Sequence, residues 1–376
     1  MNYIFFIPEV LMFLLSVYIY RLPPKTSKRL FAWICLLWAL IFGFRSYGTG
    51  NDTPDYWDFF INKSSQYGNV NGYSELEIGF LYFAKFVKFF SDSPTLFFIV
   101  ISSCLFIAIY RLYTKHSTSS NYFIGLLAAF LLVDLFVPLM VAIRQATSFC
   151  ILIPGILLLT SDDSNIVVKK NKNKIFVGLC LLSMSILVHK SSIIIVPFLL
   201  LIYFVPINRM VLAALLCVCV IMAFIFMEQI GYIFNTFFIM FGDANFSSVN
   251  PNVMNIYAND FGDNKQKTMT FVAWALPAFL NLYLADEKQI KSFYYRCYII
   301  SVCVFLLFSS SFLVHRIVTP LILLGFTQYL PSSVKPKSRW YKVYLFFVLA
   351  LLIKAFLRYG NWPATDTSLP YHFFWQ

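Results

Sequence analysis

Charged residues are scarce in this sequence. Asp, Glu, Lys and Arg make up 12% of its 376 residues, whereas soluble domains usually contain about 25%. Hydrophobic residues make up 60% and recur in runs along the whole chain. This distribution excludes a large soluble domain and predicts an all-α, polytopic membrane protein that forms a single integral membrane domain over residues 1–376.

Several signatures of chemistry are also missing. The sequence has no Gly-rich phosphate loop, no HExxH motif, no GxSxG elbow and no repeated carboxylates that would hold a metal. The eight cysteines all lie in apolar stretches, which does not suggest zinc or a disulfide framework. We therefore expect no metal site and no cofactor. The net charge of +12 is better explained by basic cytoplasmic loops than by nucleic acid, which we do not expect as a partner.

Long apolar segments indicate about twelve transmembrane helices. A span needs roughly 20 apolar residues, and about 17 are tolerated. Several of these segments are slightly short, so we expect their ends to extend into the membrane interfaces. The segments lie near residues 4–20, 30–44, 94–110, 122–138, 143–160, 175–189, 191–205, 210–227, 269–284, 295–313, 316–331 and 342–357.

Residues 78–90 form a further apolar segment that is too short to span comfortably. Lys85 and Lys88 are three residues apart and share one helical face. This pattern predicts a short interfacial or re-entrant helix. If the segment does not cross, the predicted inside loops hold 18 of the 29 Lys and Arg residues. If it crossed, the basic run at 169–174 would lie outside, against the positive-inside rule.

The favoured topology places both termini outside and leaves two sizeable outer loops, 45–79 and 228–268. A second set of cations then stands at predicted outer helix ends, where the charge rule disfavours them: Arg45, Arg144, His189, Lys190, His315, Arg316 and Arg358. Each one alone is explained by a side chain reaching the lipid head groups. As a set they favour a binding site for phosphate, which Arg can hold with two parallel hydrogen bonds.

Acidic residues of the first outer loop are candidates for proton transfer. Thr53 is expected to cap a helix with Pro54 at its first position, which puts Asp55 in the first turn. Asp52, Glu77 and His189 are candidates for a general base. Glu77 is expected at the N-terminus of helix 78–90, where burial would raise its pKa toward the working range.

The ordered motifs resemble the EpsG family of Wzy-type polysaccharide polymerases. The resemblance rests on the run of Arg45, Gly48, Asp52, Thr53 and Tyr56, and on Glu77 with Gly79 and Phe80. Three further motifs follow in order: Ile143–Arg144–Gln145, His189–Lys190–Ser191, and Arg316 with Pro320. Together they span roughly residues 40–330.

This resemblance implies a membrane glycosyltransferase in the bacterial cytoplasmic membrane. Its partners would be undecaprenyl-pyrophosphate-linked oligosaccharides, which it joins into O-antigen or a related surface polysaccharide on the outer face. A separate chain-length regulator is a possible partner. The expected roles are pyrophosphate binding by Arg45, Arg144, Lys190 and Arg316, base catalysis by Asp52, Glu77 or His189, and sugar binding by Asp55, Tyr56 and Trp57.

Three other classes of protein remain open. A flippase or transporter for the same lipid-linked sugar would also need cations, but it should show repeat symmetry and broken helices near the midplane. Neither is visible in the sequence. Asp134 lies inside a predicted span and would suit a proton relay. A membrane acyltransferase would use His189 or His315, and a non-enzymatic assembly subunit would not need the outer cations.

Overall fold

The regular elements of the structure, a computed structural model, are helices. It describes residues 4–49, 52–63, 77–133, 139–140, 142–160, 172–225, 264–308 and 312–360. These ranges contain α1 (Phe6–Tyr18), α2 (Pro24–Gly43), α3 (Thr53–Asp58), α4 (Ile78–Phe90), α5 (Pro94–His116), α6 (Asn121–Val133), α7 (Ile143–Leu159), α8 (Lys172–Val188), α9 (Ser192–Phe204), α10 (Arg209–Ile225), α11 (Asn264–Leu284), α12 (Glu287–Ile290), α13 (Phe293–Phe308), α14 (Phe312–Gly325) and α15 (Arg339–Gly360). The all-α prediction is confirmed.

Three of the helices are long and apolar enough to cross a membrane: α2, α5 and most of α15. Several others are apolar but shorter, including α7, α9 and α10. The chain is thus helical and suited to a membrane, and the number of about twelve spans stays a prediction. Most of the predicted outer loop 228–268 lies outside the described residues, although α11 already begins within it at Asn264.

The packing of α5, α7 and α8 defines two ends of the bundle. Cys150 of α7 donates to the carbonyl of Ile101 in α5 at 3.6 Å, and Lys115 near the end of α5 donates to Leu157 near the end of α7. These two helices therefore run parallel. The hydroxyl of Ser148 donates to the carbonyl of Ser185 at 3.1 Å, so α8 runs antiparallel to α7. We call the end where α5 and α7 begin the network end.

The opposite end carries loops that were predicted to be cytoplasmic, and we call it the basic end. Ser117 donates to the carbonyl of Thr327 at 2.7 Å there, and Arg209 donates to the carbonyl of Ala285 at 2.7 Å. Side chains of Asn and Gln, such as Asn121 on the Phe326 carbonyl, add further bonds between loops. Basic loops distant in sequence thus meet at one end of the molecule, as the charge rule predicts.

Helix α4 begins and ends at the network end. The backbone at Gly79, near its start, packs against Leu187 at the end of α8. Near its other end, Lys88 donates to the carbonyls of Phe60 and Ile61 at 2.8 and 2.7 Å. Only three residues separate the end of α4 at Phe90 from the start of α5 at Pro94. Both ends of α4 therefore lie at the network end, in agreement with the prediction of a short helix that does not cross.

This arrangement predicts opposite accessibility for two exposed positions. Asp92 follows α4 and its side chain is 87% exposed, whereas Lys172 begins α8 at the basic end. In a cysteine-free background, Asp92→Cys should react with a membrane-impermeant maleimide on intact cells. Lys172→Cys should react only after the membrane is permeabilised. Labelling of both positions from the same side would contradict the two-ended arrangement.

Candidate functional site

Four side chains from distant parts of the sequence meet at the network end. Arg144 donates from Nη1 to Oε2 of Glu77 and from Nε to the hydroxyl oxygen of Tyr56, both at 2.9 Å. Nδ1 of His189 lies 3.3 Å from Oε1 of Glu77. The backbone N–H of Lys190 donates to the same oxygen at 3.0 Å. We call Tyr56, Glu77, Arg144 and His189 the carboxylate network.

Each member of the network is positioned by the end of a helix. Tyr56 lies on α3, Glu77 is the N-cap residue of α4, and Arg144 is in the first turn of α7. His189 lies in the short connection between α8 and α9. The start of α7 and the end of α8 adjoin because these helices are antiparallel. One turn after Arg144 along α7, the hydroxyls of Ser148 and Ser192 form a hydrogen bond of 2.8 Å.

Gly79 allows Glu77 to reach the end of α8. A Cβ atom at this position would lie 2.7 Å from the carbonyl oxygen of Leu187 and 2.8 Å from its carbonyl carbon. Any residue other than glycine would therefore push α4 away from α8. The motif Glu77-Ile78-Gly79 thus combines the carboxylate with the glycine that brings it to His189 and Lys190.

The prediction that burial raises the pKa of Glu77 toward neutrality is wrong. Burial alone would raise it, and the side chain is only 5% exposed. However, the hydrogen bond from His189, the charge of Arg144, the N–H of Lys190 and the charge of His189 outweigh burial and lower the pKa to about 2. Glu77 is therefore ionised at neutral pH and accepts three hydrogen bonds.

The ionised carboxylate also fixes the tautomer of His189. A carboxylate without a proton accepts hydrogen bonds only, so Nδ1 of His189 must carry the hydrogen. In the neutral ring the lone pair is then on Nε2. Histidines held by a carboxylate in this way serve as general bases when the second nitrogen faces a substrate.

Arg144 keeps part of its guanidinium available. Its side chain is 32% exposed, and Nε and Nη1 make the two bonds to Tyr56 and Glu77. Within the part of the chain that the structure describes, Nη2 of Arg144 makes no hydrogen bond or ion pair. The N–H groups of Nη2 can thus donate hydrogen bonds to an anion.

Arg45, which was predicted to bind pyrophosphate, has a buried side chain that contacts the protein itself. It is 2% exposed, donates from Nη1 to the carbonyl of Met140, and stacks on Phe98 with its guanidinium carbon 4.1 Å from the ring centroid. Met140 precedes Arg144 by four residues. Arg45 therefore holds the segment that leads into α7.

The other predicted residues of the first outer loop lie on or beside α3. Asp55 is exposed in the first turn, as expected. Thr53 does not cap the helix: α3 begins at Thr53 itself, Asp52 is in the N-cap position, and no side chain caps it. Trp57 is half-buried, with its ring centroid 6.0 Å from that of Phe98. Asp52 is close enough for its charge to contribute to a raised pKa of Tyr56, of which burial is the main cause.

For two other predicted cations, the structure describes the backbone position relative to the network end. The side chain of Lys190 is exposed at the network end, while its backbone N–H binds Glu77. Arg316 lies near the start of α14, and α14 ends at the basic end, where Phe326 and Thr327 bind Asn121 and Ser117. The backbone at Arg316 is therefore directed toward the network end, and its side chain lies outside the described set. Asp134 also lies outside the described residues.

Two charged residues that the sequence analysis did not assign to the site have defined places in the structure. Lys88 binds the carbonyls of Phe60 and Ile61 in the π-turn (Phe59–Lys63) that follows α3, so it connects α4 to the segment that carries Tyr56. The sequence predicted that Lys85 and Lys88 share one helical face, but it gave no signal for the carbonyls that Lys88 binds. Glu9 is fully buried in α1, inside the predicted apolar segment 4–20.

Comparisons with known proteins identify one family. The model of the EpsG family matches residues 28–373, nearly the whole chain. No curated protein and no solved structure shows significant similarity to the chain. The matched range includes every member of the carboxylate network.

The close approach at Gly79 predicts a selective loss of activity. Gly79→Ala should separate α4 from α8 by a few tenths of an ångström or more, at a cost of about 1–3 kcal/mol. This movement should weaken the bonds of Glu77 to His189 and Lys190. Polysaccharide produced per molecule of membrane-inserted protein measures the effect. Gly48→Ala is the matched control, because no atom lies within 4 Å of its Cβ position; equal activity of the two variants would refute this role.

The lowered pKa of Glu77 predicts a pH dependence of stability. Because the folded-state pKa is about 2 and the ordinary value is 4.5, the stabilisation is complete above 4.5 and disappears as the pH falls toward 2. A shift of this size corresponds to about 3 kcal/mol. Thermal unfolding of the purified protein between pH 5.5 and 3 should therefore show a loss of stability that Glu77→Gln reduces. Glu287→Gln, which changes an exposed carboxylate at the basic end, should retain the wild-type pH dependence.

Proposed function

The chain belongs to the EpsG family of Wzy-type polysaccharide polymerases, and we propose that it joins undecaprenyl-pyrophosphate-linked oligosaccharide repeat units at the network end. This end would face the outside of the bacterial cytoplasmic membrane. The product would be O-antigen or a related surface polysaccharide. The observation that supports this most directly is the open guanidinium edge of Arg144 beside an oriented histidine.

The electrostatics of the network suit a pyrophosphate. Arg144 is in the first turn of α7, and the connection through His189 and Lys190 leads into the start of α9. The positive ends of two helix dipoles therefore add to the charge of Arg144. Glu77 neutralises one charge, but it uses only one nitrogen of Arg144 and leaves Nη2 for the ligand. Lys190 and Arg316 supply further cations for the second phosphate.

We assign the general base to His189 and a positioning role to Glu77. With a pKa of about 2, Glu77 is a weak base, whereas His189 carries its lone pair on Nε2. In the proposed step the acceptor hydroxyl of one repeat unit loses its proton to Nε2 as its oxygen forms a bond to the anomeric carbon. The bond from that carbon to the pyrophosphate breaks, and the electron pair leaves with undecaprenyl pyrophosphate, where Arg144 stabilises the charge.

The remaining predicted residues take supporting roles in this proposal. Arg45 keeps the segment before α7 in place through the carbonyl of Met140. Asp52, Asp55 and Trp57 lie on or beside α3 along the same end, where carboxylates and a half-exposed indole can bind sugar hydroxyls and sugar rings. Asp52, in the N-cap position of α3, stays a second candidate for the base.

Arg144→Ala tests the proposed function directly. In a strain whose own gene is deleted, this variant should insert normally but reduce polymer by roughly 10²–10³-fold, the usual cost of removing one donor that stabilises developing charge. Arg111→Ala is the control, since Arg111 is exposed near the end of α5, at the basic end. Polymer is measured as the ladder of surface polysaccharide on a gel.

The pattern on that gel separates the alternatives. A single repeat unit on the acceptor, with no ladder, indicates a missing polymerase. Loss of all repeat units indicates a transport step, which favours a flippase. An unchanged ladder with Arg144→Ala would contradict the role of Arg144.

A further inference from the structure

The hydrogen bond between Arg144 and Tyr56 has only one possible direction. A guanidinium has no acceptor, so Nε of Arg144 donates and the hydroxyl oxygen of Tyr56 accepts. The proton of the Tyr56 hydroxyl must therefore point to another group. Among the described residues, none accepts a hydrogen bond from this hydroxyl. A buried hydroxyl in such a position has a proton that it can donate to a ligand.

We propose that the hydroxyl of Tyr56 donates a hydrogen bond directly to a phosphate oxygen of the lipid pyrophosphate, beside the open edge of Arg144. This inference rests on the proposed function, and it names a further residue that binds the leaving group. Tyr56 and Arg144 then form one cradle, in which the arginine both binds the phosphate and orients the tyrosine.

The surroundings of Tyr56 favour this role over the sugar platform predicted from sequence. The residue is 6% exposed, and its ring packs edge-on against Phe80 with centroids 5.8 Å apart. Burial on this scale leaves no ring face for a sugar to stack on. The hydroxyl remains as the group that can reach a ligand, and packing of the ring fixes where it points.

The charge of Arg144 makes Tyr56 a better donor. A hydroxyl that accepts a charge-assisted bond is polarised, which strengthens the bond that it donates in turn. Burial raises the pKa of Tyr56 further than the charge and hydrogen bond of Arg144 lower it, so the hydroxyl keeps its proton at neutral pH. Tyr56 therefore binds an anion as a neutral donor and does not add a negative charge beside the phosphate.

Tyr56→Phe tests the proposal because it removes the hydroxyl and keeps the ring against Phe80. A hydrogen bond to a charged group contributes about 1.5–3 kcal/mol, which corresponds to roughly a 10–150-fold change in affinity. The full-length protein is purified in detergent, and binding of inorganic pyrophosphate is measured. Tyr56→Phe should weaken binding roughly 10-fold or more and should raise KM for the lipid-linked substrate. Tyr294→Phe, which changes a buried tyrosine bonded to Thr160 near the basic end, should bind as the wild type does.

A parallel measurement on Arg144→Ala separates the two proposals. If Arg144→Ala loses pyrophosphate binding and Tyr56→Phe retains it, the proposed site stands and the role of Tyr56 is overturned. If Tyr56→Phe lowers polymer synthesis but binds pyrophosphate normally, the hydroxyl contacts the sugar and the inference also fails. If Arg144→Ala binds pyrophosphate as the wild type does, the phosphate site itself is wrong.

Discussion

The carboxylate of Glu77, at the start of α4, binds both the start of α7 and the connection between α8 and α9. It accepts hydrogen bonds from Arg144, from His189 and from the backbone of Lys190. A buried carboxylate without partners would have a strongly raised pKa and would be costly to ionise. With these donors it stays charged, and its charge in turn fixes the orientation of the arginine and the tautomer of the histidine. The arrangement of the whole network end follows from this one group.

A buried ion pair of this kind contributes little to stability compared with well-packed apolar residues. Its effect here is to orient the guanidinium of Arg144. Arg144 is directed by two fixed acceptors, Glu77 and Tyr56, so its free edge has one position relative to His189. Lysine could not replace it, because an ammonium group offers no planar fork that binds two acceptors and still presents a third nitrogen. Alignment of this edge before substrate binds is what charge stabilisation in a transition state requires.

The helical fold and the separation of charges were predictable from sequence, because both depend on local composition. Apolar runs predict helices, and the placement of Lys and Arg predicts which loops meet at one end. The short helix over 78–90 followed from its length. The start of α7 near Arg144 and the place of Glu77 at the N-terminus of α4 also follow from local signals. The set of candidate residues thus contained all four members of the carboxylate network.

The pairing within that set was not predictable, because Glu77 lies 67 residues from Arg144 and 112 from His189. No periodicity or motif in a single sequence reports contacts over such separations. The error about the pKa of Glu77 has the same origin: burial can be guessed from neighbouring apolar residues, but the donors that oppose it come from other helices. For the same reason Lys88 was expected on a face of an interfacial helix, although it binds the carbonyls of Phe60 and Ile61 in the turn after α3. Chemistry at this end therefore depends on how α4, α7 and α8 pack. The close packing of α4 against α8 requires that residue 79 be glycine, which has no side chain.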